Sequence, residues 1–268
     1  MSATHPLAGV GVLVTRPQAQ SAALCRRLEA RGATVVALPA VTIDPVAVPA
    51  DLAKRIGTAD AFDLVVFTSA NAVRHGTAWL ADPRDRTIAA IGPATRRALE
   101  RAGFPVSITP RGGFDSEHLL AEPALRDLVG RRVLLVKGIG GRDLLARELA
   151  ARGARVEAAE VYRRSPATPD PERLRALEAR IDAGALQVVT ATSLEIASAL
   201  LGLSPPPLRT ALERLHWLVP AGRVANALES LGIRGPRIEA ASPEDPALVD
   251  ALARWAAGRS RDYSNEST

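Results

Sequence analysis

Two stretches of sequence decide the fold: GVGVLVTR at residues 9–16 and GRRVLLVK at residues 130–137. Each is an apolar run that ends on a basic residue, and the two stand 121 residues apart. At the same separation, LEARGATV at residues 28–35 recurs as LAARGARV at residues 149–156. A likeness that holds at one fixed spacing indicates an internal repeat of long period.

Two further blocks extend this repeat. VVFTS at residues 65–69 resembles VTATS at residues 189–193, at a separation of 124, and residues 88–104 resemble residues 217–233 at a separation of 129. The growing separation is what insertions in loops would produce. The alternative is a chance likeness between alanine-rich segments of one fold class.

Each copy alternates strand and helix patterns. Residues 10–15 form a β-branched run, residues 18–31 carry an apolar stripe at helical spacing, and Gly32 is a helix stop. A later run at residues 64–68 precedes Ser69, which is suited to cap a helix. Near-continuous apolar strands between amphipathic helices are typical of parallel sheets covered on both faces. The sequence therefore predicts an α/β protein with two doubly wound parallel-sheet lobes.

Two proline-containing stretches, residues 39–45 and 161–169, interrupt this alternation at equivalent places in the repeat. Proline disfavours helix before it and removes a backbone donor, so both stretches are predicted to be extended. Two such crossings predict a two-stranded linker with a cleft between the lobes. The predicted boundaries are lobe one at 1–40 and 166–258, lobe two at 41–165, and a disordered polar tail at 259–268.

Composition excludes several classes of protein. The chain has 268 residues, of which 47% are hydrophobic and 24% charged, so it can bury a core. A single cysteine, Cys25, excludes a disulfide framework and lies on an apolar helical stripe, which favours a core thiol. The four histidines are scattered without metal-ligand spacing. We therefore expect no metal site.

The net charge of +5 comes without a dense basic run, which argues against a nucleic-acid binder and suits a small anionic ligand. No uncharged run approaches the roughly 18 residues of a membrane span. The first residues lack the pattern of a signal peptide. We expect a cytoplasmic protein with no membrane or nucleic-acid partner.

Ligands of parallel α/β sheets bind beyond the carboxyl ends of the strands. The residues that follow the apolar runs are small, hydroxylic or basic, and such groups bind carboxylates or phosphates. Each serine or threonine could equally be only a helix cap. The candidate binding residues are Arg16, Thr68, Ser69, Asn71, Thr95, Lys137, Gly138, Arg142, Thr192, Ser193 and Arg223.

Conventional catalytic sets do not occur in these positions. GIGG at residues 138–141 does not complete a dinucleotide fingerprint, and the chain has no phosphate-binding loop of the GxxxxGK[ST] type. No serine–histidine–acid set or pair of carboxylates is suggested by the spacing. Tyr162 is the one phenol placed near the predicted cleft. A catalyst built this way would mainly orient a substrate that is intrinsically reactive.

Four motifs together resemble the uroporphyrinogen-III synthase family: VLVTRP at 12–17, FDLVVFTSANAV at 62–73, IGPAT at 91–95 and VYRR at 161–164. The resemblance spans about residues 10–250 and implies two α/β lobes joined by a two-stranded linker. It implies that hydroxymethylbilane, a linear tetrapyrrole with eight carboxylates, is cyclised with loss of water and inversion of ring D. It also implies no metal and no cofactor. We expect a monomer, because no extra apolar surface is evident in the sequence, and a transient contact with the upstream hydroxymethylbilane synthase.

The resemblance also implies residue roles. Tyr162 matches the family's hinge tyrosine, proposed to assist departure of the hydroxyl, although a tyrosine there could simply pack the hinge. Thr95 matches the family's cleft threonine. Thr68, Ser69 and Asn71 match a loop of the family's lobe two. Thr192 and Ser193 match the equivalent loop of lobe one. Ala221-Gly222 and Leu194-Glu195 depart from the family's usual residues.

Two other functions fit parts of this pattern. One is a non-catalytic two-lobed module that binds or senses a tetrapyrrole or another small anion. The other is a nucleotide-dependent α/β enzyme, which the missing phosphate loops argue against. Retention of Tyr162 and Thr95 favours the synthase.

Overall fold

The computed structural model describes residues 5–58, 61–80 and 86–265, apart from the side chains of Arg223 and of residues 260–265. The chain divides into two compact units. The first combines Met1–Thr42 with Ser165–Thr268, and the second is Ile43–Arg164.

The described residues contain ten strands. In chain order they are β1 (Gly11–Val14), β2 (Thr34–Ala37), β3 (Val41–Pro45), β4 (Leu64–Phe67), β5 (Thr87–Ala90), β6 (Arg132–Gly138), β7 (Arg155–Pro166), β8 (Val188–Thr190), β9 (His216–Pro220) and β10 (Arg237–Ala240).

Eleven α-helices lie among them in the same part of the chain. They are α1 (Gln18–Glu29), α2 (Ala50–Ile56), α3 (Ala70–Gly76), α4 (Pro93–Arg101), α5 (Ser116–Leu120), α6 (Leu144–Ala151), α7 (Pro171–Asp182), α8 (Leu194–Leu203), α9 (Pro206–Glu213), α10 (Arg223–Ala227) and α11 (Asp245–Asn265).

The first unit is built on a parallel sheet with the strand order β10-β9-β8-β1-β2. Side chains alternate along β1, so Val12 and Val14 join one apolar cluster while Leu13 joins the other. Both clusters consist of buried residues contributed by strands and flanking helices. The doubly wound fold predicted from the apolar runs is confirmed for this sheet.

The second unit has the strand order β3-β7-β6-β4-β5, with parallel pairing from β7 to β5. Val65 and Phe67 of β4 enter one apolar cluster, and Leu64 and Val66 enter the other. Ile108 adds a short parallel bridge beside β5. Both faces of this sheet are therefore covered as well.

Four strands of each sheet share one order, and the fifth strands, β10 and β3, lie at opposite edges. In the first unit β1 lies between β2 and β8, and β9 follows β8; in the second, β6 lies between β7 and β4, and β5 follows β4. The sequence blocks paired in the predicted repeat fall on strands of equivalent position, one in each sheet. Each sheet thus combines strands from the first and the second half of the chain.

The two stretches predicted to be extended connectors are strands. Residues 39–45 contain β3, and residues 161–169 continue β7, a strand of twelve residues that is adjacent to β3. The Val46 N–H donates to the Val161 carbonyl at 3.0 Å. Pro45 and Pro166 are the last residues of their strands, where a missing N–H disturbs the ladder least.

Two local details differ from the sequence expectation. Along α1 the buried face contains Ser21, Leu24 and Leu28, whereas Ala22 is exposed. Ser21 satisfies its hydroxyl on the Gln18 carbonyl at 2.9 Å, which makes a buried serine tolerable. At the other end of the chain, α11 runs to Asn265, into the stretch predicted as a disordered tail.

Candidate active site

The carboxyl ends of β4, β6 and β7 in the second unit line an open pocket of about 190 Å³. A pocket that encloses a drug-sized ligand is typically about 300–1,000 Å³, so this one suits a part of a larger molecule. Its polar lining residues are hydroxylic or cationic: Thr68, Ser69, Ser116, Lys137, Arg142, Tyr162 and Arg164.

Lys137 and a glycine-rich loop form one wall of the pocket. The Lys137 side chain is only 13% exposed, and its Nζ lies 3.5 Å from Asp143 Oδ1 and 4.0 Å from Glu160 Oε1. The loop that follows keeps the strand end open because Gly140 and Gly141 have φ of +76° and +84°, a region that favours glycine. The ammonium thus lies at the pocket, held by two long contacts to exposed carboxylates.

Tyr162 reaches the pocket through a shift in strand register. Lys137 is paired with Glu160, but the next residue, Gly138, is paired with Tyr162, so Val161 is the extra residue of a bulge. Val161 and Tyr162 are consequently both buried. Bulges bend a strand and re-aim side chains, and this one directs the phenol ring over Gly138.

Gly138 is required by that ring. A Cβ at Gly138 would lie 2.5 Å from Tyr162 Cζ, closer than real contacts allow. The Ile139 N–H also donates to the Tyr162 carbonyl at 2.8 Å, which fixes the backbone on the same side. Glycine at the strand end and the position of the phenol are therefore two parts of one arrangement.

The Tyr162 hydroxyl has two polar neighbours. Ser69 Oγ lies 3.1 Å away, and Arg164 Nη2 donates to the phenolic oxygen at 3.3 Å. The Arg164 guanidinium carbon is 5.5 Å from the ring centroid, within reach of a cation–π interaction. The ring of His75 is 6.0 Å from that of Tyr162, and burial, assisted by Arg74, lowers the pKa of His75. Cationic and neutral groups thus surround the phenol.

The residues after β4 divide into two groups. Thr68 and Ser69 line the pocket: the Thr68 hydroxyl donates to the Val136 carbonyl at 3.3 Å, and Ser69 caps α3 by accepting from the Ala72 N–H at 3.0 Å. Asn71 and Thr95 are only 5% and 3% exposed and are not among the residues lining the pocket. The structure therefore brings together six of the predicted residues of this unit and leaves two behind them in buried positions.

Arg142, on the pocket rim, is paired with a carboxylate that the sequence analysis did not consider. Its guanidinium contacts both oxygens of Glu117, one of them at 3.2 Å, and holds the pKa of that carboxyl below its usual value. Beside it, Asp115 caps α5 by accepting from the His118 N–H at 2.9 Å, and the same residue lowers the pKa of Asp115. The positive charge of Arg142 is thus partly compensated.

Sequence reasoning missed Ser116 and Arg164 as pocket residues. An aspartate–serine pair after two glycines at residues 112–116 is a helix-start pattern that could have indicated Ser116. Arg164 stands two residues beyond Tyr162, and in an extended strand residues two apart share a face. The two-residue spacing from Tyr162 is therefore a signal in the sequence that could have indicated Arg164 as a pocket residue.

The predicted site residues of the first unit serve local structure. Arg16 is 8% exposed, and its guanidinium pairs with Asp245 Oδ1 at 2.5 Å, donates to the Pro243 carbonyl and reaches Thr192 Oγ1 at 3.4 Å. Ser193 caps α8 by accepting from the Ile196 N–H at 3.2 Å. The side chain of Arg223 lies outside the described residues.

The other groups singled out from composition are not in the pocket. Cys25 packs against an apolar cluster of the first unit, and burial raises the pKa of its thiol. Within the described ranges, no three His, Cys, Asp or Glu side chains are grouped so that they could hold a metal ion. None of the helices in these ranges has both the length and the apolar character required to cross a bilayer.

The arrangement in the second unit can bind anions and present one phenol. Lys137 and Arg142 carry charge that can pair with carboxylates, Arg164 contacts the phenol, and hydroxyl groups supply hydrogen bonds. Tyr162 is the lining group suited to give a hydrogen bond or a proton to a departing oxygen. These groups are suited to bind an anion and to donate to one leaving oxygen.

Comparison with known proteins gives one consistent result. A family model described as uroporphyrinogen-III synthase HemD matches residues 22–250. The uroporphyrinogen-III synthase of Salmonella typhimurium is 33% identical over 254 residues, covering 91% of this chain and 100% of that protein. That of Escherichia coli is 31% identical over 255 residues, with the same two coverages.

Solved structures extend the likeness to the fold. A mutant uroporphyrinogen III synthase from the extremely thermophilic bacterium Thermus thermophilus is 27% identical with a TM-score of 0.59, covering 93% of this chain and 99% of that one. The uroporphyrinogen-III synthetase of Helicobacter pylori has a TM-score of 0.63 at 17% identity, covering 92% and 99%, and supports the fold alone.

Proposed function

The chain belongs to the uroporphyrinogen-III synthase family, and from that premise we propose that it cyclises hydroxymethylbilane to uroporphyrinogen III. The reaction removes water and inverts ring D, so the enzyme is a cyclising hydro-lyase of tetrapyrrole biosynthesis. Without an enzyme the bilane closes to the symmetric isomer. The catalyst must therefore control the geometry of closure as well as help the hydroxyl to leave.

One observation carries the proposal: a buried phenol whose oxygen lies beside Ser69 and Arg164 in a pocket lined by cations. We assign Tyr162 to departure of the hydroxyl. The C–O bond of the hydroxymethyl group breaks with its electron pair on oxygen, and a proton from the donor makes the leaving group water. The pyrrole nitrogen supplies the electrons, and the resulting azafulvenium ion becomes the azafulvene by losing its N–H proton to solvent, which returns a proton to the Tyr162 oxygen.

Two cations of the pocket, Lys137 and Arg142, are proposed to bind carboxylates of the substrate. Lys137 is the strongest candidate because it is largely enclosed and its two carboxylate contacts are long. Arg142 would have to share its charge with Glu117. Thr68, Ser69 and the N–H groups around Gly138 would contribute hydrogen bonds to the same end of the bilane.

The remaining predicted contacts stay proposals of lower support. Thr95 and Asn71 are buried, and Arg16 is paired with Asp245, so each would need a local change to touch substrate. Thr192, Ser193 and Arg223 complete the proposed set. We also propose that the protein works in the cytoplasm as a monomer. It would need no metal or cofactor and would contact hydroxymethylbilane synthase transiently.

An isomer assay tests the function. Hydroxymethylbilane is generated in situ, the protein is added, and the oxidised porphyrins are separated. We expect mostly the type III isomer, and we expect Tyr162→Phe to lower the rate about a hundredfold, the lower range for loss of a positioned acid. Tyr263→Phe, which removes the only other tyrosine, is the control.

Other outcomes of the assay are equally informative. Type I product with tight binding of the bilane would replace the synthase with a tetrapyrrole-binding module. Type I product without binding would overturn the proposal. A Tyr162→Phe variant as active as the parent would keep the function and remove the role assigned to the phenol.

A further inference from the structure

Two polar groups, Ser69 and Arg164, meet at the Tyr162 oxygen, and their arrangement has a direction. We propose that Arg164 and Ser69 are positioning residues that both donate to the phenolic oxygen, so that the Tyr162 O–H points into the pocket. The inference rests on the proposed function because it assigns what orients the hydrogen that assists the departing hydroxyl.

The direction follows from counting donors and acceptors. A phenol has one O–H and an oxygen that accepts. Arginine carries donors only, so the 3.3 Å contact places an Arg164 N–H on the Tyr162 oxygen. If Ser69 also donates, at 3.1 Å, the phenol hydrogen is left for a partner inside the pocket.

Ser69 is suited to donate because its Oγ already accepts one hydrogen bond and its O–H remains to be paired. As the cap of α3 its Oγ accepts from the Ala72 N–H at 3.0 Å. The hydroxyl hydrogen then needs an acceptor, and in the described part of the chain the Tyr162 oxygen lies within hydrogen-bond distance. A hydroxyl that accepts a hydrogen bond is also polarised to donate more strongly.

Packing prevents the phenol from turning away from these donors. The bulge at Val161 pairs Tyr162 with Gly138, and the ring lies so close that a Cβ there would be 2.5 Å from Cζ. The Arg164 guanidinium, 5.5 Å from the ring centroid, covers part of the same ring. The ring is therefore held and only the O–H torsion remains to be set.

The same two donors stabilise the group after it has reacted. When the C–O bond of the substrate breaks and the phenol proton moves to the leaving oxygen, negative charge develops on the Tyr162 oxygen. A guanidinium N–H and a serine O–H already directed at that oxygen stabilise the charge without reorganising. Arg164 thus acts through Tyr162 and not on a substrate carboxylate.

That distinction can be measured with a mutant cycle. Arg164→Ala is compared with Arg163→Ala, an exposed neighbour on the same strand, in the isomer assay. We expect Arg164→Ala to lower kcat about tenfold with KM changed less than about twofold, the effect of one charge-assisted hydrogen bond. Arg164→Lys should recover part of the loss. In a Tyr162→Phe background, Arg164→Ala should have no further effect.

A second readout does not depend on activity. Tyr263→Phe leaves Tyr162 as the only tyrosine, and the intensity ratio of its Raman Fermi doublet is high when the phenol oxygen accepts hydrogen bonds. We expect a high ratio in this parent and a lower ratio after Arg164→Ala or Ser69→Ala. A low ratio in the parent would overturn the proposed direction, even if the chain made no type III product and the proposed function failed.

The kinetic outcomes also decide between the two roles of Arg164. An increase in KM with kcat unchanged would make it a ligand of a substrate carboxylate and overturn the inference. A loss that multiplies with that of Tyr162→Phe would do the same, because independent groups have additive free energies. A loss confined to backgrounds that retain the phenol supports the positioning role.

Discussion

The ends of β1 and β6 are equivalent in the predicted repeat and in strand order, yet they serve different purposes. At the end of β1, Arg16 is enclosed by Asp245 and the Pro243 carbonyl, at the start of α11. At the end of β6, Lys137 meets only exposed carboxylates at 3.5 and 4.0 Å and lines a pocket. One cation is buried in an ion pair at its strand end, and the other lines an open pocket.

The residues that follow each cation explain the difference. Pro17 comes directly after Arg16 and α1 begins at the next residue, so the strand end is compact. After Lys137 the chain continues through Gly138 and the glycines at 140–141 before α6 begins at Leu144. Three of the six residues between Lys137 and α6 are glycines, so this loop leaves the strand end open.

The largest expected effect is a difference in the free energy of unfolding between the Arg16→Ala and Lys137→Ala variants. Arg16→Ala leaves the largely enclosed Asp245 without its partner, which should cost about 3 kcal/mol, whereas Lys137→Ala should cost less than about 1 kcal/mol. Urea unfolding measures both. Lys137→Ala should instead raise the KM for hydroxymethylbilane.

The Asp245→Asn variant checks the cause of the first loss. If the ion pair is responsible, the double variant Arg16→Ala with Asp245→Asn should be destabilised by much less than the sum of the single variants. Equal stability losses at Arg16 and Lys137 would break the comparison.

A methyl group at the strand end of β6 should remove activity next. Gly138→Ala places a Cβ 2.5 Å from Tyr162 Cζ and must displace the ring. We expect type III synthesis to fall at least about tenfold, as expected when a catalytic group is moved by a fraction of an ångström or more.

The matched control for that variant is Gly57→Ala. The nearest atoms to a Cβ at Gly57 lie at 3.5 Å, an ordinary contact, so activity should be retained. An active Gly138→Ala enzyme would show that the ring position is not what the site requires.

The two cap serines offer a sharper test because they are locally alike. Ser69 and Ser193 each accept from the N–H three residues on, and replacing either by alanine should cost about 1 kcal/mol. Ser69→Ala should also lower kcat, by about threefold to tenfold for one lost hydrogen bond to Tyr162, whereas a kinetic loss at Ser193, a proposed substrate contact, should appear in KM. Equal losses of kcat in the two variants would contradict the assigned role of Ser69.

The smallest effect concerns pH. Burial, followed by a nearby arginine, lowers the pKa of His75 in the second unit and of His216 in the first below the ordinary value of 6.5. The unfolded chain then binds more protons, so stability is greatest above pH 6.5 and falls as the pH decreases below it.

Glutamine replacements show how much of that pH dependence each histidine contributes. His75→Gln and His216→Gln should each make the free energy of unfolding less dependent on pH just below 6.5. Chemical denaturation at a series of pH values measures the slope. A slope that neither replacement changes would assign the dependence to carboxylates.

Much of this architecture could be predicted from local pattern. The runs 10–15 and 64–68 contain β1 and β4, since continuous apolar residues are needed where a strand is buried on both faces. Ser69 was predicted as a cap from its place after the strand, and it is one. Lys137 was predicted as a pocket residue because topology alone brings strand ends to one edge.

The register of β7 and the partner of Arg16 could not be predicted this way. Asp245 is 229 residues from Arg16 in the chain, and nothing in either local sequence names the other. The bulge at Val161 depends on how β7 aligns with β6. Both are properties of contacts distant in sequence, which periodicity does not report.

The sequence by itself determined which residues form strands, where the polar strand ends lie, and which family the motifs resemble, because these depend on short spacings along one chain. Only the tertiary structure decided that Tyr162 lies over Gly138 with Ser69 and Arg164 at its oxygen, and that Arg16 is closed off by Asp245. The physical reason is that a side chain's chemistry is set by its neighbours, and packing, not sequence order, chooses them.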